Sequence, residues 1–179
     1  MSVIRESMTM KQTIRGFTLI EVMIAMLVMS LGLLGIAATL VTAMHSATSN
    51  YLKQQAVQTT YDMADRMRSN FKAASTPNSS NPYIVALTPP AAGTPSPDCS
   101  ATTCTPANMA AYDVWQWQTA LKNDLPGGLG SISVVPDPAT NTRAQVTITV
   151  QWSDQPAQAT FNNPATAATP VTFSVITQL

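Results

Sequence analysis

One carboxylate stands where carboxylates are seldom tolerated. Glu21 follows Gly16-Phe17-Thr18-Leu19-Ile20, and no Asp, Glu, Lys or Arg occurs from Val22 to Tyr51. An ionisable group inside an apolar, membrane-length segment is expensive and by default marks a site that needs a partner. The other reactive side chains are few. Cys99 and Cys104 are the only cysteines, and His45 is the only histidine. Two cysteines without a clustered histidine make a poor metal site, so a structural disulfide is preferred over a redox or metal role. No carboxylate pair, nucleophile elbow or phosphate-binding loop is apparent. The sequence therefore predicts no enzyme, no cofactor and no metal. The chemistry to be explained is that of one charge in apolar surroundings and one crosslink.

Glu21 is positioned by a long apolar segment, Phe17 to about Met44. About 20 such residues, at roughly 1.5 Å each, span a bilayer core. A secretory signal peptide is the rival reading, and Ala37-Ala38-Thr39 resembles its cleavage site. Its apolar core runs only roughly 7–15 residues, however. The residues ahead carry Arg5, Lys11 and Arg15 against Glu6. Such a basic flank stays cytoplasmic, which places the rest of the chain in the periplasm. Met8 and Met10 offer later translation starts.

The helix is expected to continue past the membrane, because no proline occurs from Phe17 until Pro77. Leu40, Met44, Ala47, Tyr51, Val57 or Gln58, Tyr61, Ala64, Met67 and Phe71 recur mostly at steps of three and four, which marks one helical face. A helix from Phe17 to about Phe71 would be roughly 80 Å long. Gly32 and Gly35 each weaken it by about 1 kcal/mol relative to alanine, or else let neighbouring helices approach closely. Asp62 with Arg66 and Asp65 with Arg68 have the spacing of helix-surface ion pairs.

From Ala73 to Thr105 the chain is rich in Pro, Ser and Thr and reads as loop, with a short extended piece at Tyr83–Leu87. The two cysteines lie in it, and periplasmic exposure permits their disulfide. Thr105-Pro106 reads as a helix cap followed by proline at the first helical position. That helix is expected to run to Leu125 and stop at Pro126-Gly127-Gly128. Trp115 and Trp117 cannot share one helical face. One is assigned to the core and the other to partial exposure, where packing is favoured over a carbohydrate contact. The C-terminal third alternates as strand does: Gly130–Val135, then Val146, Ile148, Val150 and Trp152, then Val171, Phe173 and Val175. Residues 137–142 read as a turn and residues 153–170 as a loop. Three strands with one apolar face suit an antiparallel sheet against the stripe Tyr51–Phe71. The expected class is α+β.

Gly16-Phe17-Thr18-Leu19-Ile20-Glu21 followed by apolar helix resembles the class III signal of type IV pilins and type II secretion pseudopilins. The resemblance implies a leader, residues 1–16, removed by prepilin peptidase between Gly16 and Phe17, with the new Phe17 amine N-methylated. It implies that Glu21 pairs with the Phe17 amine of an adjacent subunit during assembly. It implies too that the segment around Gly32 and Gly35 loses helicity in a filament. The remaining organisation is then a membrane and filament-core helix at 17–44, its periplasmic half at 45–72, the disulfide-bearing loop at 73–105, and a head of helix plus sheet at 106–179.

Asp62-Met63-Ala64-Asp65-Arg66-Met67-Arg68, the short Cys99–Cys104 spacing, Trp117 with Leu121, Leu125-Pro126-Gly127-Gly128, and the strand ending at Trp152 are similar to the PilV-like minor pilins. That resemblance implies a low-abundance subunit that primes pilus assembly and sits at or near the tip. Such pili serve twitching, adhesion or DNA uptake. Partners would be other minor pilins, the major pilin, the prepilin peptidase/methyltransferase and the inner-membrane assembly platform. The chain would be a single-pass inner-membrane protein before assembly and part of a surface pilus afterwards. Without its leader it keeps six basic and eight acidic residues, a formal net of −2, so nucleic acid is a poor expectation for a direct partner. A minor pseudopilin of a type II secretion system is the alternative within the superfamily. A signal-anchored periplasmic binding or adhesion domain that never assembles is the alternative outside it.

Overall fold

The computed structural model describes residues 16–139, 143–154 and 170–179. The leader before Gly16, part of the expected turn (140–142) and most of the expected loop before the last strand (155–169) lie outside the described residues. The chain divides into two compact units, Met1–Thr42 and Ala43–Leu179.

Helix α1, Leu19–Ser69, runs for 51 residues and enters both units. In the first unit it has no proline, and its hydroxyl side chains are satisfied locally. The hydroxyls of Ser30, Thr39 and Thr42 donate to the carbonyls of Leu27, Ile36 and Ala38, at 2.8, 2.8 and 3.1 Å. Such back-bonding satisfies these three hydroxyls without water. Every residue from Leu19 to Met44 is exposed in the structure, and the helix is long and apolar enough to cross a membrane.

In the second unit the remainder of α1 is followed by α2 (Phe71–Ala74), β1 (Val85–Thr88), α3 (Pro106–Asp124), β2 (Leu129–Pro136), β3 (Ala144–Ser153) and β4 (Pro170–Gln178). The four strands form one antiparallel sheet in the order β1-β2-β3-β4. This α+β arrangement, a long helix on a small antiparallel sheet, is the class expected from the sequence. The sheet has one strand more than the three expected, because Val85–Thr88 pairs with β2 through Val85–Ile132 and Thr88–Gly130. Tyr83, expected to open that strand, is instead a fully buried loop residue.

The alternation of β3 resolves as expected. Val146, Ile148, Val150 and Trp152 are buried, and residues between them are half-buried. The helix face that joins this core overlaps the expected stripe at Ala64 and Met67 and otherwise differs from it. It is Leu52, Ala56, Thr60, Met63, Ala64 and Met67, while Tyr51, Tyr61 and Phe71 are exposed by half or more. The buried row Leu52, Ala56, Thr60 and Ala64 steps by four, and its apolar members belong to the same core cluster as the β-branched sheet face. Thr60 reads as polar in sequence, but its hydroxyl donates to the Ala56 carbonyl at 2.7 Å, so it packs as a small apolar residue. The tyrosines read as apolar but keep their hydroxyls in water.

Helix α3 is capped as expected. Thr105 Oγ1 accepts from the Asn108 N–H at 3.3 Å, and Pro106 occupies the first turn. Trp117 is the buried tryptophan, and its indole N–H donates to the Thr59 carbonyl of α1 at 3.0 Å. The exit from α3 depends on close backbone approach. A Cβ on Gly128 would lie 2.0 Å from the Leu121 carbonyl oxygen, and one on Gly130 would lie 2.3 Å from the Trp117 ring. We therefore expect Gly130→Ala to lower unfolding stability by about 1–3 kcal/mol, in the range of core overpacking. Gly128→Ala should lower it at least as much, because there the opposing atom is backbone. Denaturant midpoints of the full chain in detergent check this; two unchanged midpoints would contradict the tight α3–β2 turn.

Candidate assembly site

Gly16, Phe17 and Thr18 precede the helix, and Phe17 is 83% exposed. Thr18 caps α1. Its carbonyl accepts from the Glu21 and Val22 N–H groups at 3.1 and 3.3 Å, and its Oγ1 accepts from the Glu21 N–H at 3.4 Å. Thr18-Leu19-Ile20-Glu21 is thus the helix-start pattern of a hydroxyl followed three residues later by glutamate. Reading Glu21 only as a charge in apolar surroundings missed this second role, although the signal was present. A carboxylate in the first turn is also favoured by the positive end of the helix dipole. No described side chain bonds the Glu21 carboxylate, so its charge is not compensated by another side chain within the described chain.

Gly32 and Gly35 are both helical, and nothing lies within 4 Å of a Cβ built on either. Packing among the described residues therefore gives no reason for glycine at these positions. All the large apolar residues around them, from Phe17 to Met44, are exposed.

At the other end of α1 the side chains converge on a polar lock. Arg66 bonds Asp62 one turn back at 2.8 Å. It also reaches α3, where it pairs with Asp113 at 3.5 Å and donates to Gln116. Asp113 accepts from the Tyr83 hydroxyl at 3.0 Å. The Asn70 amide donates to that same hydroxyl oxygen at 2.9 Å and to the Pro106 carbonyl at 2.7 Å. The spacing rule found the Asp62–Arg66 and Asp65–Arg68 pairs, the latter at 2.7 Å. It could not find the α3 partners, which come from distant sequence. Burial pushes the Tyr83 phenol well above its ordinary range, with Asp113 adding to the shift and the Asn70 bond opposing it. Asn81 completes the lock: its amide donates to the carbonyls of Ala73, Ala74 and Thr76, and its Oδ1 accepts from the Tyr83 N–H.

Cys99 and Cys104 are bonded, with Cα atoms 5.6 Å apart. Trp115 is half-buried, its ring 5.7 Å from that of Tyr112. With Val114 it walls a cavity of about 450 Å³ between α3, β1 and the proline-rich loop. His45 is half-buried on α1. No cluster of three or more His, Cys, Asp or Glu occurs among the described residues.

Comparison with known families adds to this geometry. Residues 11–37 match the prokaryotic N-terminal methylation motif, and residues 38–115 match the Tt1218-like family, type IV pilin Tt1218. The two matches adjoin, the first ending at residue 37 and the second beginning at residue 38. No curated protein and no solved structure matches.

Tyr83→Phe removes the hydroxyl between Asp113 and Asn70 and should lower stability by about 1–3 kcal/mol. The raised phenol also sets a pH dependence. Its stabilising contribution is complete below the unfolded pKa of about 10 and is lost as pH rises toward the folded value. Stability measured by denaturant titration should therefore fall above about pH 10, and fall less steeply in Tyr83→Phe. Equal slopes would show that Tyr83 is not held in the lock.

Proposed function

We propose that this chain is a PilV-like minor pilin. Prepilin peptidase removes residues 1–16 between Gly16 and Phe17, and the new Phe17 amine is N-methylated. The subunit waits in the inner membrane with its head in the periplasm, takes part in initiating a type IV pilus, and is incorporated at or near the tip. The pilus serves twitching or adhesion, with DNA uptake as a further role. Other minor pilins, the major pilin and the assembly platform are the partners.

The observation that carries this reading is the pairing of Glu21, uncompensated by any described side chain, with a helix surface that no described residue covers. Breaking a charge pair in low dielectric costs about 3–5 kcal/mol. An amine at Phe17 of a neighbouring subunit supplies the opposite charge, and only the correct axial register brings the two together. Exposed Gly16 and Phe17, outside the helix, suit access by a peptidase. Gly32 and Gly35 are assigned to local loss of helicity on assembly. The organisation proposed is leader 1–16, anchor 17–44, periplasmic helix 45–72, loop 73–105 and head 106–179.

Mass spectrometry of the N-terminal peptide, from sheared surface filaments and from membranes, tests this. N-methylated Phe17 is expected in the sheared fraction. A chain confined to membranes, or one with its leader retained, would sink the filament role. Glu21→Ala should still be cleaved but should disappear from the sheared fraction. Undiminished incorporation of that variant would show that Glu21 is a helix-start residue only.

A further inference from the structure

Ala111, Val114, Trp115 and Gln118 follow one another on α3 at steps that place them on one helical face. Trp117 lies outside this set and enters the core. Across from the set stand β1 and the prolines that flank it, and between them lies the cavity of about 450 Å³. Small-ligand sites measure roughly 300–1,000 Å³, so the space suits a compact molecule. Its walls are stiff. Pro82, Pro89 and Pro95 have backbones fixed by their rings. Trp115 is half-buried and is braced by the Tyr112 ring, 5.7 Å away and tilted by 44°. None of the eleven described residues that line the space is Asp, Glu, Lys, Arg or His.

Gln118 supplies the directional group. It is 5% exposed. Its amide nitrogen donates to the carbonyls of Thr88 on β1 and Gly130 on β2, at 3.3 and 3.2 Å. Both partners are acceptors, so the amide has one orientation and its two N–H groups are used. Its Oε1 accepts from no group among the described residues. That oxygen is not sealed in either. The described side-chain atoms that are buried without a partner are Trp152 Nε1 and Asp154 Oδ1. Gln118 Oε1 therefore opens on the cavity that its side chain lines. One helix and two strands hold it there before any ligand arrives.

We propose that this cavity binds a small uncharged aromatic molecule that carries a single O–H or N–H donor, of the phenol or indole class. The apolar walls and the Trp115 ring take the aromatic body, and Gln118 Oε1 takes the donor. An ion is disfavoured, because it would lose water and meet no opposite charge in the lining. A sugar is disfavoured too, because its several hydroxyls would meet one free side-chain amide acceptor and leave others unpaired. A purely aliphatic or donor-free molecule would cover Oε1 and leave it without a partner, which is the costly arrangement. The inference rests on the head domain alone and stands apart from the assembly role proposed above.

The test follows N–H resonances residue by residue in the full-length protein in detergent micelles, titrated with 4-methylphenol. Saturable shifts with one common Kd are expected at the Gln118 side-chain amide, the Trp115 indole and the Thr88 backbone. 4-Methylanisole keeps the ring but replaces the O–H by a methyl ether. It should bind about five- to tenfold more weakly, the contribution of one neutral hydrogen bond. Removing the donor from the ligand leaves the Gln118 bonds to Thr88 and Gly130 intact. 4-Methylbenzoate, which carries a charge, should give no saturable shift at these residues. Trp115→Ala should weaken 4-methylphenol by about tenfold, with the Trp117 and Trp152 indole resonances unmoved. Should those resonances move, Ala111→Phe, which fills the cavity from an exposed position, takes its place. Absence of a saturable shift up to the solubility of 4-methylphenol overturns the proposal. So do equal affinity for the ether, binding of the benzoate, or undiminished binding in the variant. Shifts confined to Leu19–Met44 would record partition into the micelle and overturn it as well.

Discussion

From Leu19 to Met44 helix α1 carries apolar side chains on every side, and none of its residues is buried by the described chain. A helix apolar all round is covered either by a protein core or by a membrane. Lipid or other helices must remove that surface from water. Apolar burial is non-directional and proportional to area, so this surface alone would accept any neighbour in any register. The single carboxylate changes that. Glu21 is held in the first turn by the Thr18 cap, at a fixed place on the cylinder, and its charge has no described side-chain partner. A low-dielectric neighbourhood makes the difference between paired and unpaired charge large, which turns a featureless surface into one with a preferred register.

Beyond the membrane-length stretch the same helix changes partner, and the rest of the fold follows from how. Leu52, Ala56, Thr60 and Ala64 present a narrow, small-residue face to the sheet. Trp117 fixes α3 against both sides, donating to α1 at Thr59 and covering Gly130 of β2. Arg66 and Asn70 then close the far end of α1 onto Tyr83, Asp113 and Pro106. The lock joins three segments that are distant in sequence, and at its centre Tyr83 and Asp113 are buried, where hydrogen bonds are strong and unpaired groups are costly. The disulfide, by contrast, closes a loop with four residues between its cysteines. Its constraint is local to the segment ahead of α3.

The parts legible in sequence were those whose signals are local. The cap at Thr105-Pro106, the stop at Pro126-Gly127-Gly128 and the alternation of β3 depend on neighbouring residues only. So does the motif from Gly16 to Glu21, which the methylation-motif match covers. What escaped depends on the far partner. Thr60 and Tyr61 exchange their apparent characters because the hydroxyl of one is satisfied by its own helix and that of the other by water. β1 is too short to show a period and exists because β2 offers an edge. Arg66 has its i−4 partner written beside it, but its α3 partners are set by the tertiary fold. The Thr18–Glu21 cap was local and still missed, because one strong reading of Glu21 obscured a second.

Among the described residues two surfaces are left unsatisfied, and they differ in kind. The apolar cylinder is indifferent to orientation and is satisfied by anything apolar. The outer edge of β4 is a row of dipoles at fixed spacing, satisfied only by a backbone in one conformation. On the function proposed, a subunit that enters a membrane and then leaves it for a filament benefits from the first kind, since lipid and helix are interchangeable coverings for it. Choosing one partner among similar subunits requires directional groups, and neutral apolar surface supplies none. β1, at the opposite edge, is four residues long, irregular in its register with β2 and followed by Pro89-Pro90, features that discourage pairing at that edge.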